Sequence, residues 1–218
     1  MTAVSDPENP DATEAASAAR VDAAGAVRAL GHAMVSHQVD DRVLETITTT
    51  VEDLRRAVEA FPPRRRRPLD LRTVFTGEPE KIRRNSAFPD SIVTGKANPL
   101  GLAADIVREG DEAVLRTSLG PAFEGAPGRA HGGAVAALFD EVMGFVLSIH
   151  AVPAYTGSLT VSYRAPTPLA TPLELRARLR SRHGRKLRID ATARHGAALI
   201  AEAEGLFVAV DPERFLAG

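Results

Sequence analysis

The chain has 218 residues, a formal net charge of -1 and no cysteine. Disulfide frameworks, thiolate metal sites and thiol nucleophiles are excluded, and the balanced charge leaves no basic footprint for nucleic acid. The apolar runs all stop short of the roughly 18 residues a membrane span needs, and the start is acidic and polar, so the expectation is a cytoplasmic protein without a membrane span.

In chain order, residues 1–20 are rich in Ala, Ser, Pro and acid and read as a disordered tail. Residues 21–36 are expected to be helical. Leu44, Ile47, Val51, Leu54, Val58 and Phe61 then recur every three or four residues, one stripe on a second helix. The β-branched run Thr48-Thr49-Thr50 weakens that helix's own propensity. The stripe is therefore expected to pack on a body, its own or a partner's. Pro62-Pro63 stops the helix, and Arg64 to Arg67 follow as a basic knot. That knot reads as a solvated linker, with a phosphate contact as the second reading. Residues 21–67 thus form a helical N-terminal arm, and 68–94, which lack a period, a connecting segment.

From residue 100 the apolar period becomes two. Residues 101–109 and 111–119 read as strands joined by a turn at Glu109-Gly110-Asp111. A loop, PAFEGAPGRA, spans 121–130, and 131–149 is the one long apolar helix of the region. A strand starts near Thr156, with Leu159, Val161 and Tyr163 alternating with polar residues. Two more follow around 173–180 and 187–194, with His183-Gly184 as their turn, and 197–210 makes the last. One apolar helix against one long antiparallel sheet is an α+β layer, here residues 95–212. The sheet's second face carries Arg, Thr and Asp and is expected to meet water.

The chemistry concentrates at the long helix. His131-Gly132-Gly133 opens it, and two glycines there leave backbone N–H groups accessible to an anion or a developing negative charge. Asp140 stands among Leu138, Phe139, Val142 and Met143 and reads as a carboxylate in apolar surroundings. His131 and Asp140 are nine residues apart, roughly 13 Å of rise and half a turn of rotation in a helix. One helix cannot bring both to one carbonyl. A second, antiparallel copy could, which predicts a C2 dimer or a dimer of dimers.

The segment AHGGAVAALFDEVMG, preceded by NPLGL and FEGAPGRA and followed by YTGSLTVSYRAPTPL, resembles the hotdog-fold acyl-CoA thioesterases, in particular the phenylacetic-acid-degradation-type (PaaI-like) branch. The resemblance covers about residues 95–210. It implies hydrolysis of an acyl-CoA to a free acid and CoA, a step of lipid metabolism, with Gly132 as amide donor and Gly133 beside it. It also implies His131 as the orienting residue, Asp140 as the carboxylate that attacks or activates water, and Thr156 as an assisting hydroxyl. Family members often carry an Asn or Gln in the loop before the histidine. Here the loop has Glu124, which is the candidate to replace it. Arg129 and Arg164 are candidates for the coenzyme A phosphates. Glu141 reads as a salt-bridge or solvent residue and Asn98 as a turn residue. His150, His183 and His195 have no ligand spacing, so neither a metal nor a cofactor beyond the substrate's CoA is expected. The competing readings are a non-catalytic acyl-CoA-binding dimeric module and a hotdog hydratase or dehydratase.

Overall fold

The computed structural model describes residues 16–64, 75 and 88–211. Among these residues three α-helices and six strands follow in the order α1 (Ala18–Ser36), α2 (Asp41–Glu59), β1 (Asp105–Glu109), β2 (Glu112–Ser118), α3 (Gly132–Ile149), β3 (Ala154–Tyr163), β4 (Pro172–His183), β5 (Lys186–His195) and β6 (Ala198–Ala209). The strands make one antiparallel sheet in the order β1-β2-β4-β5-β6-β3. The single long apolar helix lies across one face, as expected for a hotdog α+β layer.

Burial explains why α3 sits there. Leu138, Phe139, Val142, Met143 and Val146 are fully buried against Leu115, Leu175, Ile189 and Phe207 of the sheet. Each such side chain contributes about 1.5–3 kcal/mol of hydrophobic stabilisation. Gly205 on β6 permits the close approach. A Cβ there would lie 2.7 Å from both Met143 Sδ and Phe207 Cε2. Among the described residues, α3 alone is long and apolar enough to cross a bilayer, but its apolar face is buried within its own fold. The opposite sheet face is polar, as read from the alternation. There Glu109, Glu112, Arg116, Glu174 and Arg176 form an ion-pair network across β1, β2 and β4.

Three boundaries differ from the sequence reading. The first strand begins at Asp105, not near 101, because the amides of Leu102 and Ala104 go to the carbonyls of Ile92 and Val93. Ala103 also takes a left-handed φ of 50° that a strand does not hold. The β4–β5 turn is centred one residue later, on Gly184-Arg185, with Gly184 at φ 58° in the first loop position. Helix α1 starts at Ala18, inside the expected tail, because Ser17 caps it and accepts from Arg20 N–H. Residues 1–15 and Arg65 to Arg67 lie outside the described residues, as does most of the connecting segment.

The arm behaves as two different helices. Helix α1 is anchored to the body. Arg28 donates to the carbonyls of Lys96 and Asn98, and Arg20 pairs with Asp90. Helix α2 carries the expected stripe, yet no residue of it is buried, and Phe61 just beyond its end is 75% exposed. Of the two surfaces expected to receive this stripe, its own body and a partner's, the described residues of its own body do not bury it. Local bonds hold the helix instead. Asp40 caps it, the hydroxyls of Thr46, Thr48 and Thr49 donate to carbonyls one turn back, and Arg55 bridges Glu52 and Glu59. After α2 the chain returns to the body, where Arg64 joins Arg20 on Asp90.

Candidate active site

The N-terminus of α3 is built by its own first three residues and by two neighbours. His131 is the N-cap, and its Nδ1 accepts from Gly133 N–H at 2.9 Å. In the neutral ring the proton therefore sits on Nε2 and can be donated outward. The ring also explains Gly133, where a Cβ would meet Nδ1 at 3.0 Å. Gly132 N–H has no partner among the described residues, and it points from the positive end of the helix. Tyr163 Oη donates to the Gly132 carbonyl at 2.7 Å, and a Cβ on Gly132 would lie 3.1 Å from that hydroxyl. Tyr163 thus lies over Gly132 and polarises the next peptide unit. In the sequence it was visible only as an alternating strand residue.

Asp140 is the second candidate on this helix, and here the structure corrects the sequence reading of its surroundings. It is exposed rather than buried. At 100° per residue, Leu138 and Val142 each lie about 200° away, so the apolar neighbours face the sheet while Asp140 faces outward. Its Oδ1 accepts from Thr156 Oγ1 at 2.8 Å, and among the described residues Oδ2 has no donor. Glu141 next to it accepts from Thr94, which is fully buried. Thr94 thereby ties the 90–98 segment to α3. Asn98 is a turn residue as expected, accepting from Leu100 N–H and donating to the Asp90 carbonyl.

A register shift makes both contacts to β3 possible. Thr156 pairs with Phe207, but Ser158 pairs with Leu206, so Gly157 is an extra residue on β3. Thr156 and Tyr163 differ in parity and would face opposite ways in a regular strand. The bulge at Gly157 inverts the alternation and turns both toward α3. Thr156 then meets Asp140, and Tyr163 meets Gly132.

The candidates therefore fall into two groups. His131, Gly132, Gly133 and Tyr163 stand at the helix start; Asp140 and Thr156 stand eight or more residues on. From Gly132 to Asp140 the helix rises roughly 12 Å. The protomer does not bring the two together. Glu124 lies in the loop before His131, but its Oε1 accepts from Gly128 N–H at 2.6 Å and closes that loop. Arg129 is exposed near the same loop, tied through its backbone to Pro168. Arg164 follows β3 and pairs with Glu202 at 2.8 Å. Gly125, which sequence reasoning passed over, lies against His131; a Cβ there would be 2.8 Å from His131 Cα. No group of three metal-binding side chains occurs among the described residues.

Residues 127–199 match the thioesterase superfamily. Acyl-coenzyme A thioesterase THEM4 of Bos taurus is 30% identical over 150 residues, covering 66% of this chain and 62% of that protein. THEM4 of Mus musculus is 34% identical over 94 residues, 42% of this chain and 40% of that protein. The chain thus spans 62% or less of the length of these curated relatives. The crystal structure of a thioesterase superfamily protein, 25% identical, superposes with a TM-score of 0.76 over 89% of this chain and 97% of its own. That coverage reaches beyond the sheet domain into the N-terminal region. The chain thus has the hotdog fold, and the stretch that matches the thioesterase superfamily, residues 127–199, runs through the HGG helix start and Asp140.

Proposed function

We propose that the protein hydrolyses acyl-CoA thioesters at sites shared between two copies of the chain. The observation that carries this is the split of one helix into two half-sites. An accessible N–H at a helix start and a threonine-held carboxylate lie roughly 12 Å apart on the same element. An antiparallel second copy supplies the missing half to each. Strand β3 supports this: it is an edge strand of ten residues beside the site, and an open edge of that length invites pairing.

In the composite site the thioester carbonyl oxygen lies at Gly132 N–H, where the helix end stabilises the oxyanion as it forms. His131 Nε2–H is a second donor on the same side. Asp140 from the other copy takes a proton from water through its free oxygen while Thr156 holds the first. Water oxygen bonds to the carbonyl carbon, the tetrahedral intermediate collapses, the C–S bond breaks, and CoA leaves as a thiolate that recovers the proton. The products are a carboxylic acid and CoA. Arg129, exposed beside the loop, is the better placed of the two candidate phosphate contacts, since Arg164 is already paired. A cytoplasmic setting and a place in lipid metabolism go with a CoA substrate and a cysteine-free chain.

The experiment is a panel of short, long and aryl acyl-CoAs with thiol detection. Turnover of at least one is expected, and none across the panel overturns the reading. Mixing inactive Asp140→Asn with an inactive helix-start variant tests the shared site. Exchange of subunits should restore activity at one of the two sites of each mixed dimer, and a site within one chain would restore none.

A further inference from the structure

We infer that His32, on the N-terminal helix α1, is a positioning residue for the active-site helix, acting through the loop before His131. The inference rests on the thioesterase reading above. His32 Nδ1 accepts from Ala122 N–H at 3.0 Å, and its ring meets the edge of Phe123 with centroids 5.4 Å apart. The loop is shaped for that ring. A Cβ on Gly120 would lie 2.6 Å from His32 Cε1, closer than any side-chain carbon tolerates. Only a residue without a side chain fits there.

From this socket the connection to the site is short. The Phe123 carbonyl accepts from His131 N–H at 2.8 Å, and His131 Nδ1 accepts from Gly133 N–H at 2.9 Å. Gly125 packs under His131 on the same side. A shift of residues 120–123 is therefore passed to Gly132 through a single hydrogen bond and a cap. His32 cannot follow such a shift, because Arg20 and Arg28 fix the same helix to Asp90, Lys96 and Asn98. That segment in turn holds Glu141, beside Asp140, through Thr94. Helix α1 thus sets both the donor end and the carboxylate region of α3.

The test compares His32→Leu, His32→Asn and Gly120→Ala in the full-length chain, with the acyl-CoA that the wild type turns over fastest. His32→Leu fills the socket without an acceptor. Its kcat should fall roughly 10-fold, since misplacement of about 1 Å already costs that much or more. KM should stay within about 2-fold, because the lost placement matters in the transition state. His32→Asn restores an acceptor oxygen near the Nδ1 position and should recover most of kcat. Gly120→Ala displaces the ring and should reproduce the kcat loss. Amide hydrogen exchange at His131 and Gly133 should rise in His32→Leu and Gly120→Ala and return in His32→Asn. This readout needs no substrate, so it decides the inference even if no acyl-CoA is hydrolysed and the thioesterase reading falls. Unchanged exchange and kcat in His32→Leu would overturn the inference. So would equal losses in Leu and Asn that follow the fall in melting temperature alone.

Discussion

Helices α1 and α2 each have 19 residues, yet they stand in opposite relations to the body. The second carries the strongest apolar stripe of the arm and buries none of it within the chain. The first has no comparable stripe, buries only Ala24 fully, and is nonetheless anchored by Arg20, Arg28 and His32. Apolar periodicity reports that a helix forms; it does not report what the helix meets. Attachment here comes from a few polar groups that find loop carbonyls, an amide and a carboxylate. Those partners are 68 to 90 residues away in sequence, so no local pattern shows them.

The scale for breaking this contrast is set where neither helix is touched. Asp140→Asn keeps the shape and removes the proposed base. Turnover of acyl-CoA should fall about 100-fold or more with the melting temperature nearly unchanged, because Asp140 is exposed. Activity within a few-fold of wild type would remove Asp140 from the mechanism.

Arg28→Ala removes the guanidinium that caps the Lys96 and Asn98 carbonyls. Bonds to a charged donor are worth about 1.5–3 kcal/mol each at most, less at a part-exposed site, so a loss of about 1–2 kcal/mol is expected in denaturant unfolding. Stability equal to wild type would mean that α1 is held by something else.

Leu54→Ser in α2 should change the stability of the isolated chain by less than about 0.5 kcal/mol, since the residue is already exposed. The same substitution sharpens the comparison through oligomeric state. A smaller species by light scattering would show that the stripe meets a second copy, the alternative left open by its exposure here. A large loss of chain stability with no change in association would contradict its exposure.

The smallest effect belongs to the polar sheet face. Arg116, then Arg176, hold the Glu109 carboxyl below the ordinary carboxylate range, and Arg176, then Arg116, do the same for Glu174. Depressed folded values mean that this stabilisation is present above the unfolded carboxylate pKa of about 4.3 and is lost as pH falls through the folded values. The groups are exposed, so the effect is small and screened by salt. Melting temperatures of wild type and Arg176→Gln should differ slightly at pH 6 in low salt and converge toward pH 3. A gap that widens on acidification would reverse the sign of this account.

Residue order alone determined the sheet, the long helix and the dipeptide glycine at its start. Period-two alternation, turn glycines and a continuous apolar helix are local signals, and burial of one face allows few other arrangements. The outward face of Asp140 was also legible in principle: counting 100° per residue separates it from Leu138 and Val142. Its apolar neighbours in sequence masked that phase. Three things were decided only in the folded chain. The bulge at Gly157 puts Thr156 and Tyr163 on one face despite their parity, because the extra residue depends on how β3 pairs with β6. Glu124 closes its own loop on Gly128, since a carboxylate takes the nearest unpaired amide. And α1, not the better patterned α2, reaches the candidate site, because docking needs a matching partner surface: His32 over the bare backbone of Gly120 has one, and the stripe of α2 has none among the described residues.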